Sequence, residues 1–383
     1  MICWLFAWEF GQGLGHLRRL GAITRHLVRS GDRAVLVTPP DAPLAELPPG
    51  VERMPLQAPD PPPCRAMTEG FLPSYGAALV ELGFAKADYI MARLAAWDRI
   101  LRAIRPAAII ADHAPYAVLA GKDRCAVAVI GTGLDLPPSD DDEFPPVLAE
   151  LPSFDEAPLR AALAAGCRAT GRPAAPSAPM ALKGTRRFLV GLPDFDPYAT
   201  RRSETHLGPI GARPPLTTCP AEGSVFAYLN ALHPSFDELV SALAEAGLPG
   251  NAYWQGGQDP ARAALLGARG VDVLRAPAVM ADALPACSLV LSLGGAGLTA
   301  GALFAGRPHL ILPIHLESEL HALGLEQLGA GVRLSGYALC AAIEAAADTL
   351  ALRDGAMRAA LRLRDAFPTD PAPTIAAEIR SMA

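Results

Sequence analysis

The segment that most constrains this chain runs from Cys287 to Gly306, twenty residues without a charged side chain. That length is close to what a membrane-crossing helix needs, and Gly297 and Gly301 stand at the small-xxx-small spacing of paired membrane helices. Its internal order points elsewhere. A β-rich run (Leu289, Val290, Leu291) is followed by a glycine cluster (Gly294, Gly295, Gly297) and then by small helix-compatible residues. This order predicts a strand, a loop and a helix rather than one continuous span. The 51% hydrophobic content and mean hydropathy of +0.24 then read as buried parallel strands, apolar on both faces.

The same order appears at the start of the chain. Cys3 to Phe10 reads as a strand, Gly11 to Gly15 as a tight loop, and Leu17 to Val28 as a helix with Leu17, Leu20, Ile23, Leu27 and Val28 on one face. A second strand, Ala34 to Val37, implies a right-handed parallel crossover. Pro39 to Pro63 is too proline-rich for a central strand or a long helix. A helical stretch follows from Tyr75 to Ile104, then a buried strand from Ala107 to Ala111 that delivers Asp112.

A proline-rich zone over 209–222 reads as a linker, because the α/β pattern restarts beyond it. Strands are expected at Ser224–Leu229, Asn251–Trp254, Val271–Leu274, Leu289–Ser292 and His309–Leu312. Helices are expected at Ser235–Ala246 and over Tyr337–Met357. The expected fold is α/β, with two doubly wound halves facing a cleft: an N-terminal domain over 1–208 and a C-terminal domain over 223–365. The segment 366–383 is expected to pack back on the N-terminal domain. At 383 residues, two such domains fit the length.

With 33 Lys and Arg against 39 Asp and Glu, no basic excess is available to neutralise phosphates, so nucleic acid is not an expected partner. The first ten residues carry Glu9 and no basic leader, which predicts a cytoplasmic chain without a transmembrane segment. Seven scattered cysteines contain no C-x-x-C pair and read as reduced.

Three loops carry candidate chemistry. Gly11 to Gly15 places His16 at the start of a helix, where the dipole disfavours the imidazolium and favours a neutral base. The glycine spacing is not G-x-G-x-x-G, and Thr38-Pro39-Pro40 stand where a ribose-binding acid would follow the second strand, so a dinucleotide site is not expected. Asp112 ends a parallel strand, where side chains face the functional crevice. If it reaches His16, the pair can deprotonate a hydroxyl. The loop Ser292 to Thr299 offers successive N–H groups and a hydroxyl to a diphosphate, but lacks the lysine of a Walker A loop. Asp140-Asp141-Asp142-Glu143 sits among prolines and reads as a solvated loop, not a metal site.

Together these residues resemble the GT-B glycosyltransferases of the family-1, UDP-glycosyltransferase-like branch. Gly13 to His16 match its base-bearing loop, and Asp112 matches the acid that orients the base. Gly208-Pro209 match the pair before its linker. Pro277, Pro285, Leu289–Ser292, Gly294-Gly295 and Thr299 follow its donor box, with Pro308, Pro313, Glu317, His321 and Gly329-Ala330-Gly331 in step beyond. The box is degenerate. Leu293 stands where the family has a phosphate-binding His, Leu298 where it has Ser or Thr, and Gly301 where it has a ribose-binding Glu. Arg275 occupies the base-stacking position, and Glu317-Ser318 the sugar-reading pair.

The resemblance implies an inverting, metal-independent transfer of a sugar to a hydroxyl acceptor. The donor would be a nucleotide-sugar such as a UDP- or dTDP-sugar, used as substrate with no separate cofactor. His16 and Asp112 would be catalytic. Arg275, Gly294, Gly295, Ala296, Gly297, Thr299, Glu317 and Ser318 would bind the donor. Gly13, Gly15, Phe71 and Tyr75 would lie on the acceptor side, and the apolar residues near them suggest a small hydrophobic acceptor. Two other readings remain open: a GT-B-fold binding protein without catalysis, and a sugar-nucleotide epimerase.

Overall fold

The computed structural model describes residues 2–11, 14–40, 42, 48–59, 72–211, 213–220, 223–257, 259–336 and 338–383. They form two compact units, one of residues 1–211 with 370–383 and the other of residues 212–369. Each contains a six-stranded, wholly parallel sheet.

In the first unit the strands are β1 (Cys3–Ala7), β2 (Arg33–Thr38), β3 (Val51–Pro55), β4 (Ala108–Asp112), β5 (Ala126–Gly131) and β6 (Arg186–Leu189). Their order is β3-β2-β1-β4-β5-β6. The chain winds outward from β1 in one direction, returns, and winds outward in the other. The carboxyl ends of β1 and β4 are therefore neighbours at the switch point, where such sheets bind ligands. The second unit repeats the scheme with β7 (Val225–Asn230), β8 (Gly250–Gln255), β9 (Val271–Val273), β10 (Leu289–Ser292), β11 (His309–Ile311) and β12 (Gly331–Arg333), in the order β12-β11-β10-β7-β8-β9. Its switch point lies between β7 and β10.

The central strands are apolar because helices cover both faces. β4 and β10 are buried at every residue. The uncharged run from Cys287 to Gly306 resolves into β10, a glycine loop and the helix Ala296–Phe304. Among the described residues no helix is long and apolar enough to cross a membrane.

One expectation changes. The segment expected to be one helix from Tyr75 to Ile104 is broken: helix Tyr75–Leu79 passes into a wide turn over Val80–Phe84, and a new helix runs from Ala87 to Ile104. Gly83 sets the break. Its φ of +90° is left-handed, and a Cβ there would lie 2.4 Å from the Tyr89 ring. The proline-rich segment 39–63 contributes β3 at the sheet edge, where Pro55 forfeits no central ladder bond.

Glu9, the lone acid of the first apolar run, is buried and satisfied. It accepts hydrogen bonds from Trp97 Nε1 at 2.7 Å, Tyr116 N at 2.7 Å and Ala117 N at 3.2 Å. The last two come from the first turn of helix Pro115–Gly121, where N–H groups have no intrahelical acceptor. Burial pushes its carboxyl up, against the opposing charge of Arg93.

The helix Ala372–Ser381 packs on α1 (Gly15–Leu27), with Ile375 and Ile379 fully buried. Arg380 binds the Leu27 carbonyl and, at 2.7 Å, Asp32. Residues 213–220 of the proline-rich stretch before β7 belong to the second unit. Arg307, completely buried, donates to the carbonyls of Leu284 at 2.9 Å, Ala305 at 2.9 Å, Thr217 at 3.0 Å and Pro285 at 3.1 Å. Arg364 likewise joins Pro214 to Phe304. The Pro214 and Thr217 carbonyls, which lie outside regular structure, are thus satisfied by guanidinium groups, that of Arg307 being fully buried.

Candidate active site

At the first switch point the loop after β1 delivers His16 on the second residue of α1, and β4 delivers Asp112 at its last residue. His16 Nδ1 lies 2.8 Å from Asp112 Oδ1. Asp112 is completely buried, while the His16 side chain is 14% exposed. Burial alone would raise the Asp112 carboxyl. The charges and hydrogen bonds of Arg19 and His16 outweigh it and hold the group well below the usual carboxylate range.

Two aromatic rings fix the His16 plane. Trp8 stacks on it with centroids 5.4 Å apart, and His113 stacks on it at 5.7 Å. His113 has a left-handed φ of +47°, and its Nδ1 lies 3.1 Å from the Phe10 carbonyl. A carbonyl only accepts, so Nδ1 carries the proton there. Burial, aided by His16, pushes His113 down to about 4, which leaves it neutral near pH 7. Gly11 matters for space: a Cβ on it would sit 2.7 Å from His16 Nε2 and 3.2 Å from His113 Nδ1. Its φ of +95° also favours glycine.

Arg19 completes the cluster. It stands three residues after His16, on the same face of α1. Its Nε and Nη2 reach Asp112 Oδ2 and Oδ1 at 2.8 and 2.7 Å, and Nη2 lies 3.5 Å from Asp135 Oδ2. His16, Asp112 and Asp135 bring three ligand atoms within 4.8 Å of one another, a spacing that could hold a metal ion. The Arg19 guanidinium supplies positive charge at that point. Arg19, Asp135, His113 and Trp8 were not picked out from the sequence, although the three-residue offset from His16 was a usable signal for Arg19.

Beside the cluster lies a cavity of about 30 Å³, lined by Tyr75, His113, Asp135, Leu136, Phe144 and Arg187 among others. It has room for about one water molecule. Tyr75 is buried edge-on to Phe144, with centroids 5.3 Å apart, and burial raises its phenol. Gly15 opens α1, with free space where a side chain would stand. Gly13 and Phe71 lie outside the described residues.

Glu156 braces this wall. Its Oε1 accepts the Phe144 N–H at 2.9 Å, and Gly76 packs too closely on it to bear a side chain. Burial pushes its carboxyl up to about 7. The folded state therefore holds this proton more tightly than the unfolded chain, whose reference value is 4.5. Stability should fall as pH rises through that window and level off above it, by roughly 1–3 kcal/mol. Urea titrations at about pH 5 and about pH 8 will show this loss in the wild type and a smaller one in Glu156→Gln. Equal losses in both would refute it.

At the second switch point, the loop after β10 is tied through both backbone groups of Gly294. Ser292 Oγ accepts the Gly294 N–H at 3.0 Å, and His321 Nδ1 donates to the Gly294 carbonyl at 2.7 Å. A Cβ on Gly294 would lie 2.8 Å from Ile311 Cγ2 and from Ser318 Cβ. Gly295 and Gly297 face open space. The Ala296, Gly297 and Leu298 N–H groups precede the first intrahelical donor, Thr299 N, which bonds to the Gly295 carbonyl, and can receive an anion.

Other donor-side candidates are engaged elsewhere. Thr299 is fully buried and its hydroxyl donates to the Gly295 carbonyl at 3.0 Å. Ser318 Oγ donates to the His315 carbonyl at 2.7 Å and accepts the Ile314 and His315 N–H groups, within a capping box at the start of helix Leu316–Gln327. Glu317 lies in that helix's first turn, where its charge suits the dipole. Arg275 is exposed. Leu293 and Leu298 pack against core clusters, and a Cβ on Gly301 would point at Leu284 and Pro214.

Two doubly wound sheets, each with a glycine loop at its switch point, define the GT-B fold of two-domain glycosyltransferases. The family described as "Erythromycin biosynthesis protein CIII-like, C-terminal domain" matches residues 267–382. Among solved structures the chain is similar to CalG4, the calicheamicin glycosyltransferase, with TM-score 0.69 and 19% identity over 100% of this chain and 98% of that one. It is similar to glycosyltransferase VinC in complex with DTDP, with TM-score 0.65 and 17% identity over 100% and 99%. It is also similar to the spinosyn rhamnosyltransferase SpnG complexed with spinosyn aglycone, with TM-score 0.64 and 20% identity over 100% and 99%. No curated protein sequence matches it.

Proposed function

We propose that the protein is an inverting, metal-independent glycosyltransferase that moves a sugar from a nucleotide-sugar, of the UDP or dTDP type, to the hydroxyl of a small apolar acceptor. The observation that carries this reading is His16 Nδ1 at 2.8 Å from a buried, ionised Asp112 at a switch point. Asp112 holds the proton on Nδ1, and Nε2 takes the acceptor's hydroxyl proton as the oxygen attacks the anomeric carbon. The N–H groups of Ala296 and Gly297 stabilise the departing diphosphate, with Gly294 and Gly295 shaping the loop and Glu317 holding sugar hydroxyls. The fold's similarity to VinC with DTDP and to SpnG with an aglycone supports this division of labour.

A second reading, a binding protein without turnover, is favoured by the donor side. There Thr299 and Ser318 are spent on internal bonds, and Leu293 and Leu298 are packed inward. Thermal shift against UDP, dTDP and their sugars, followed by product analysis with apolar alcohols and phenols, separates the two. A diphosphate at 100 times its dissociation constant stabilises by about 2.7 kcal/mol. A shift with sugar transfer supports the enzyme, and a shift with none supports the binding protein. No shift with any nucleotide refutes both.

A further inference from the structure

We propose that Arg19 is a positioning residue: its guanidinium fork holds the Asp112 carboxylate so that His16 keeps its ring proton on Nδ1. The inference rests on the reading of His16 as the base. Arg19 Nε and Nη2 meet Oδ2 and Oδ1 of Asp112 at 2.8 and 2.7 Å, the side-on fork that pairs both carboxylate oxygens. Both oxygens are thereby fixed, and Oδ1 is left facing His16 Nδ1 at 2.8 Å.

Asp112 is completely buried, and a buried carboxylate without a cation takes up a proton instead of remaining charged. A base that is to accept a proton cannot itself be that cation, and His113, pushed down by burial, is neutral and does not supply it either. The second carboxylate nearby, Asp135, adds negative charge. Arg19, 13% exposed, is thus the cation that balances this corner of the site.

The charged carboxylate in turn selects the tautomer. With Nδ1 protonated, the 2.8 Å contact is a charge-assisted hydrogen bond. With Nδ1 bare, two lone pairs would face each other at that distance. Arg19 Nη2 also lies 2.9 Å from Nδ1, and the bare tautomer would accept from it. The two arrangements therefore compete: one Nη2 hydrogen is committed to Asp112 Oδ1, the other has the Asp135 carboxylate at 3.5 Å as an alternative acceptor, and the charge-assisted bond from a protonated Nδ1 to Oδ1 favours the first.

The test uses the full-length chain labelled with ¹⁵N-histidine, with His16→Gln identifying the ring signals. Two-bond ¹H–¹⁵N spectra near pH 8 should show His16 as the Nδ1–H tautomer in the wild type. In Arg19→Gln it should move towards the Nε2–H form that prevails for imidazole in water. Turnover in that variant should fall about 10-fold or more with KM for the donor unchanged, and Arg19→Lys, which keeps the charge without the fork, should recover part of both. Should Arg19→Gln not fold, Arg19→Lys carries the comparison, with a partial move to Nε2–H expected. An unchanged tautomer in the folded variant overturns the proposal. A changed tautomer in a protein that transfers no sugar upholds the Arg19 assignment and refutes the glycosyltransferase reading.

Discussion

Replacing His16 by alanine should lower kcat by about 10²–10⁴-fold and leave the dissociation constant of the nucleotide diphosphate nearly unchanged. The two effects separate because the ring sits at the switch point of the first sheet, whereas the free helix N-terminus after β10 belongs to the second unit. Loss of the imidazole removes the acceptor of the hydroxyl proton and the ring stacked on Trp8 and His113. The fold should persist, since His16 is partly exposed and Gly11 leaves space at its Nε2. Steady-state kinetics beside calorimetric titration of the diphosphate give both numbers. Retained turnover in His16→Ala would remove the ring from the chemistry and leave the pair with a purely structural role.

The largest expected effect on stability comes from Arg307→Met. Arg307 is completely buried, and burial lowers the affinity of its guanidinium for its proton, yet it donates to the carbonyls of Leu284, Pro285, Ala305 and Thr217. Methionine fills a similar volume without a donor, and each orphaned buried acceptor costs about 1–3 kcal/mol. Some of these carbonyls will find water, so a net loss of about 3–5 kcal/mol is expected. Urea unfolding measures it, and a loss below about 1 kcal/mol would mean that the segment from Pro214 to Thr218 is not held in this way.

What could be read from residue types alone was whatever a local pattern specifies. Among the strands flanked on both sides, β1, β2, β4, β7, β10 and β11 carry apolar runs that stand out, and their glycine loops and terminal Asp112 follow, whereas β5, equally apolar and interior, was not expected. Edge elements left weaker marks. β3 lies among prolines, β12 is three residues long within Gly329 to Arg333, and β6 begins with Arg186 and Arg187. The pairing of His16 with Asp112 was legible because topology brings adjacent strand ends together. The fates of Thr299 and Ser318 were not, because a hydroxyl at a helix start serves a ligand or the backbone equally well. Only the burial of Thr299 and the capping box around Ser318 decide between these.

The return of residues 370–383 to the first unit bears on the order in which the protein is made. In chain terms the second unit is an insertion: both of its ends connect to the first, and all of its strands emerge from the ribosome in one uninterrupted stretch. The first unit is completed last. Ile375 and Ile379 join the cluster around α1 only after some 350 further residues have been synthesised, so the part of α1 that they cover waits through most of translation while the inserted unit is free to fold.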